Sequence, residues 1–87
     1  MRLLFTKFFD RDYKTLPSIV QRQCDKQLIA LLKDPHHPSL RTSKIRGFED
    51  IWEGRINKDY RLTFQISKDV YLLRRVGRHD EVLKKPY

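Results

Sequence analysis

The chain has 87 residues, carries 19 Lys and Arg against 11 Asp and Glu, and has a formal net charge of +8. That length suits one domain spanning residues 1–87 and leaves no room for two separate cores. A single cysteine excludes an internal disulfide, and no apolar run approaches the ~20 residues a membrane-spanning helix needs. The positive balance directs attention to a polyanion such as nucleic acid, although an anionic membrane surface or an acidic protein would give the same signal.

Met1-Arg2-Leu3-Leu4-Phe5 opens the chain, but Lys7 and Asp10 interrupt it and no small-residue cleavage site follows. A cytoplasmic protein without a membrane partner is therefore expected. Leu3–Lys7 reads as a short strand. Asp10 is placed to cap a brief helix carrying Phe9, Tyr13 and Leu16 at helical spacing. Pro17 suits the first turn of the next helix. There Val20, Cys24, Leu28 and Leu31 recur every three or four residues, with Ile19 and Leu32 widening the stripe. Cys24 on that stripe reads as a small core residue. Pro35 ends the helix near Asp34.

Pro35–Leu40 reads as a rigid loop. Its adjacent His36 and His37 raise a metal site, but neighbours on an extended chain point apart and nothing completes the set. No Gly-rich phosphate loop is present. Gly47 marks a tight bend before the most informative stretch, Trp52 to Phe64.

That stretch predicts a β-hairpin about a turn at Asn57-Lys58-Asp59. Alternation puts Trp52, Gly54 and Ile56 on one face with Tyr60, Leu62, Phe64 and Ile66. Glu53, Arg55, Arg61, Thr63 and Gln65 take the other. A third strand, Asp69 to Gly77, follows a short turn and completes an antiparallel meander. The predicted order is β-α-α-β-β-β. It defines an α+β, two-layer domain in which both helices cover one face of an antiparallel sheet. The second face stays open and gathers Arg55, Arg61, Arg75 and His79.

Lone arginines on an open strand face are ordinarily solvated, and Trp52, Tyr60 and Phe64 are best read as core. Arg74 should face away from Arg75, and Lys84 and Lys85 form a solvated tail. Lys44, Tyr71, Arg78 and Tyr87 are RNA-contact candidates. For Tyr71 the alternative is the core edge, and for Arg78 it is an ordinary turn cation. The clustered cations suit a phosphodiester backbone. They also suit an RNA cut that needs no metal or other cofactor. In that reaction the 2′-hydroxyl attacks the phosphate and an acid protonates the leaving 5′-oxygen. Arginine forks stabilise the extra charge. His79 suits the acid and Glu53 the base. DNA lacks the hydroxyl such chemistry requires.

Leu32-Lys33-Asp34-Pro35, Leu40, Lys44-Ile45-Arg46-Gly47, Trp52 through Phe64 and Val76-Gly77-Arg78-His79-Asp80-Glu81-Val82 together resemble the RelE/ParE toxin superfamily. The RelE-type (YoeB/YafQ-like) branch is the nearest in pattern, and the likeness covers nearly the whole chain. It implies a ribosome-dependent mRNA interferase of a type II toxin–antitoxin module, contacting mRNA and 16S rRNA in the A site. A cognate antitoxin is the implied protein partner. By motif position Arg55 and Arg61 hold the scissile phosphate, Arg75 matches an arginine some members keep, and His79 is the general acid. Glu53 stands where some members carry a basic lysine. Members often place a base-stacking aromatic a few residues after the acid. Here that position is Leu83, so Tyr87 would substitute only if the tail folds back. Relatives that poison DNA gyrase share the fold, which leaves a gyrase-directed toxin or a non-catalytic RNA-binding relative as alternatives.

Overall fold

The structure is a computed structural model that describes residues 1–48, 50–84 and 86–87. Lys85, half of the expected lysine tail, lies outside the described residues. The elements are β1 (Arg2–Phe5), α1 (Lys7–Thr15), α2 (Ser18–Lys33), a 3-10 turn (Pro38–Leu40), β2 (Ser43–Lys44), β3 (Ile51–Arg55), β4 (Tyr60–Ser67), β5 (Val70–Arg78) and α3 (His79–Val82). The sheet order is β1-β5-β4-β3-β2. Strands β2 to β5 are antiparallel neighbours, while β1 joins β5 in parallel. The α+β class and the helix-covered face are as expected; the sheet is mixed because β1 returns beside the last strand.

Local chemistry explains the boundaries. Thr6, not Asp10, caps α1: its Oγ1 accepts the Phe9 N–H at 3.1 Å and donates to the Arg74 carbonyl at 3.0 Å. One threonine therefore closes the helix N-terminus and fastens it to β5. α2 starts after Pro17 and stops at Asp34, just before Pro35. Its buried stripe is Val20, Cys24, Gln27, Leu28 and Leu31. Ile19 and Leu32 are 60% and 40% exposed, so they do not widen it. At roughly 100° per residue both sit well off the centre that Cys24 and Leu31 define.

The core between helices and sheet joins Phe9, Cys24, Leu31 and Leu40 to Leu62, Phe64, Leu73 and Val76. Full burial of such side chains contributes about 1.5–3 kcal/mol each, which makes this layer the main source of stability. Cys24 is fully buried, and burial pushes its thiol up to about 12, as befits an inert packing residue.

The second face is not wholly open. Past β5 the chain turns back as α3, and Val82 is 1% exposed against the sheet. A Cβ on Gly77 would meet Val82 Cγ1 at 3.0 Å, so glycine is what lets α3 lie this close.

Candidate active site

The site is built at the tip of the β3–β4 hairpin. Asn57 Oδ1 accepts the N–H groups of Asp59 and Tyr60, at 2.9 and 3.0 Å, and so folds the turn. Arg61 then curls onto it, its Nη1 donating to the carbonyls of Asn57 (2.6 Å), Tyr60 (2.9 Å) and Lys58 (3.2 Å). One end of the guanidinium is thereby fixed by the backbone. The His79 N–H donates to the Asp59 carbonyl at 2.7 Å, which ties the start of α3 to the same turn. Lys58, Asp59, Arg61, Arg78, His79 and Asp80 consequently line one open cavity of about 370 Å³. The exposed His79 ring faces a site holding three fixed cations and two carboxylates.

Arg55 is the cross-strand partner of Arg61, and Glu53 sits one step along the same face, opposite Thr63. Both are half-buried. Among the described residues the Arg55 side chain has no hydrogen bond or ion pair, while its carbonyl accepts Gln27 Nε2 at 2.7 Å. Gln27 is only 6% exposed and also donates to the Ser39 carbonyl, at 3.1 Å. It pins the end of β3 from beneath. Glu53 Oε1 accepts Ser43 Oγ at 3.3 Å and forms no ion pair among the described residues.

Arg75 goes elsewhere. Its Nε lies 2.6 Å from Asp12 Oδ2 and its Nη2 donates to Asp12 Oδ1 at 3.3 Å. The hydrogen bond to Asp12 raises the arginine above its usual value. Arg75 is therefore drawn to the edge of β5 under α1, away from the His79 cavity.

A register shift explains why alternation misplaced its neighbours. Thr63 pairs with Arg75 but Phe64 pairs with Leu73, so Arg74 is an extra residue in β5. Strict alternation gives Tyr71 and Arg75 the same face; the bulge separates them. Tyr71 is 3% exposed and meets Phe64 edge-on, with ring centroids 6.0 Å apart. Tyr71 is a core residue, not an RNA contact. Arg74 is not idle surface. Its Nη1 donates to Gln65 Oε1 at 2.6 Å and its Nε to the Tyr87 carbonyl at 3.0 Å.

Lys44 pairs with Trp52 across β2 and β3, and its Nζ stands 5.3 Å above the indole. It belongs to the Trp52 side, opposite the face of Glu53 and Arg55, so it is not placed beside the cavity. Tyr87 does fold back, but onto Phe48, at 5.1 Å between ring centroids. That end of the sheet carries Ile51 and Gln65, four residues along β4 from Arg61, or about 13 Å at strand rise. Arg78 stays at the cavity, its guanidinium 5.8 Å from the Tyr60 ring centroid.

Sequence reasoning missed Lys58 and Asp80 as cavity walls, and Gln27 as a support. The last was detectable: a glutamine three residues after Cys24 and four before Leu31 lies in the middle of an apolar stripe. Among the described residues no three His, Cys, Asp or Glu side chains gather as a metal set, and no helix is long and apolar enough to cross a membrane.

No family model matches the sequence, and no curated protein does. Solved structures do. The isolated E. coli RelE toxin is 28% identical, with a TM-score of 0.70 over 87% of this chain and 81% of that one. The toxin of the RelB-RelE antitoxin–toxin complex from Methanococcus jannaschii is 25% identical, with a TM-score of 0.71 over 91% and 93%. A YoeB/ParE toxin from Agrobacterium tumefaciens shares the fold at 15% identity, with a TM-score of 0.78 over 91% and 99%. The architecture is thus that of the RelE/YoeB/ParE-type toxins. The likeness to these structures supports a toxin of the RelE superfamily.

Proposed function

We propose that this chain is the toxin of a type II toxin–antitoxin pair, a cytoplasmic, ribosome-dependent endoribonuclease that cuts mRNA in the A site. The observation that carries the reading is the shared cavity of His79 and Arg61, with Arg55 directly across the strand pair from Arg61.

In the proposed reaction the 2′-oxygen attacks the adjacent phosphorus as a base removes its proton. The bond to the 5′-oxygen breaks, and His79 supplies that oxygen with a proton. The products are a 2′,3′-cyclic phosphate and a 5′-hydroxyl. Arg61 is already immobilised on turn carbonyls, so it meets the developing charge without reorganising. Arg55 has its guanidinium available to the same phosphate. Glu53, two residues from Arg55 on the same face, is the candidate base. Arg78 and Lys58 extend the positive surface toward flanking phosphates or 16S rRNA. Arg75 acts as an anchor for α1 in this scheme, and Tyr87, packed on Phe48, does not take the base-stacking place.

The RelE proteins of Methanococcus jannaschii and E. coli were each crystallised with RelB. By analogy an antitoxin holds this chain inactive.

The test is induction in growing bacteria with mapping of mRNA ends. The chain should stop growth and cut translated messages within codons. His79→Ala should slow single-turnover cleavage by about 10²–10⁴, the usual worth of a positioned acid, with the fold intact. Full toxicity of His79→Ala with trapped gyrase–DNA complexes would establish the gyrase-directed alternative instead. Ribosome binding with intact mRNA would establish a non-catalytic RNA-binding protein.

A further inference from the structure

Two glutamines one turn apart on α2 reach the hairpin that carries the site. Gln23 and Gln27 lie four residues apart in Ser18–Lys33, so both project from one side of the helix, about 6 Å apart along its axis. Gln23 Oε1 accepts Asn57 Nδ2 at 2.7 Å. Gln27 Nε2 donates to the Arg55 carbonyl at 2.7 Å and the Ser39 carbonyl at 3.1 Å, and its Oε1 accepts Ser39 Oγ at 3.4 Å. The roles of these atoms follow from the network. Asn57 Oδ1 already receives the N–H groups of Asp59 and Tyr60, so its Nδ2 is the atom left for α2. Gln23 must therefore answer with its oxygen. Gln27 faces two carbonyls and must answer them with its amide nitrogen.

Each prong ends on one of the two arginines assigned to the phosphate. The Arg55 carbonyl lies past the reach of β2, which pairs with β3 only as far as Glu53. Gln27 supplies the partner that a neighbouring strand would have given, where an unpaired carbonyl would be costly. Asn57 folds the turn, and its own carbonyl accepts Arg61 Nη1 at 2.6 Å. Gln23 thus acts on Arg61 through Asn57, and Gln27 acts on Arg55 through the backbone. Arg55 and Arg61 form one rung of the ladder, so the two prongs hold the two ends of that rung against a single helix. The third glutamine of α2 behaves differently. Gln21 Nε2 donates to the Tyr13 carbonyl at 2.9 Å and ties α2 to α1, away from the hairpin.

We propose that Gln23 and Gln27 are positioning residues for RNA cleavage, a two-pronged clamp that aims Arg61 and Arg55 at a single phosphate. Neither side chain meets the RNA; each acts through the arginine it steadies. A loose rung would let the two guanidinium forks engage different phosphate oxygens or different phosphates, and the advantage of charge fixed beforehand would shrink. The inference rests on the nuclease reading above for the reaction, and on the hydrogen bonds alone for the clamp.

The experiment is a pair of double-mutant cycles read in single-turnover cleavage on programmed ribosomes. Gln23→Met and Gln27→Met should each slow the cleavage step about tenfold, with the half-saturating ribosome concentration unchanged. The Gln23→Met loss should shrink to less than about twofold in an Arg61→Ala background, and the Gln27→Met loss likewise in Arg55→Ala. Gln23→Glu keeps the acceptor for Asn57 and should recover most of the rate lost in Gln23→Met. A purely structural loss would be the same in every background. Should Gln27→Met fail to fold, Gln27→Asn replaces it, keeping the amide on an arm too short for the Arg55 carbonyl. Nuclear magnetic resonance reads the clamp without any activity. The Arg61 Nε–H should lose order in Gln23→Met and the Arg55 carbonyl carbon should shift in Gln27→Met, with the Arg74 Nε–H unchanged in both. Losses undiminished in the arginine-free backgrounds, no rescue by Gln23→Glu, or unmoved Arg61 and Arg55 signals would each overturn the proposal. A parent chain that leaves mRNA intact would sink the nuclease reading and the cycles with it, and the resonance measurements would then decide the clamp alone.

Discussion

Asp12 Oδ2 is shared between Arg75 Nε, at 2.6 Å, and the Val76 backbone N–H, at 3.1 Å. A single carboxylate on α1 thus neutralises an arginine and completes the edge of β5 beyond the end of β1. Asp12→Ala leaves a partly buried N–H and a guanidinium without their acceptor. It should lower stability by about 1–3 kcal/mol in urea titrations, and Asp12→Asn by less. Cleavage at saturating ribosome should survive both, because Arg75 is not at the cavity; a large loss with Asp12→Asn would put Arg75 back among the catalytic groups.

Gly77 and Val82 form a second such pair. Gly77→Ala must displace Val82, which is 1% exposed and has little room to yield. The expected loss is on the order of 1 kcal/mol. Because α3 begins at His79, the same substitution should slow cleavage. Adding Val82→Ala should cost less in the Gly77→Ala background than in the parent, a positive coupling readable in a double-mutant cycle.

Arg61 tests the electrostatic role. Lysine keeps the charge but cannot span several turn carbonyls and a phosphate at once. Arg61→Lys should retain RNA binding while single-turnover cleavage falls by about 10², and an unchanged rate would show that the guanidinium fork is not used.

High pH should weaken the fold in a defined window. Burial lifts Cys24 from its usual 9.0 to about 12, and the hydrogen bond to Asp25 lifts Tyr13 from 10.0 to about 12. Both folded values exceed the unfolded ones, so the unfolded chain loses these protons first. Their contribution is complete below about pH 9 and is lost as pH rises toward 12. Thermal melts from pH 7 to 11 should show the decline, and Cys24→Ala should make it shallower. The native thiol should resist alkylation near pH 8 and react on unfolding.

Much of this was legible from residue order. The hairpin, its Arg55–Arg61 rung and the Cys24 stripe follow from periodicity and turn chemistry, which are local. The rest is set by partners distant in sequence. Nothing near Arg75 announces Asp12, and nothing in residues 70–78 announces the bulge at Arg74. Asp10 and Thr6 are both competent caps; the choice falls to Thr6, whose hydroxyl also reaches the Arg74 carbonyl. The second face fills because Gly77 admits α3, and a glycine in a strand does not say what lies on top of it. Tyr71 turned out to be core for the same reason: strand alternation is counted along one segment, while the assignment of a face depends on the neighbour.

The parallel seam between β1 and β5 has a kinetic meaning. The partners Arg2 and Val70 lie 68 positions apart, so the earliest synthesised strand must wait for the latest one. The local β3–β4–β5 meander can form first, while the α1–β1 segment remains undocked until residues 70–78 have emerged. Such long loop closures are slow steps in folding. Slow late protection of β1 amides in pulse-labelled refolding is the signature to seek.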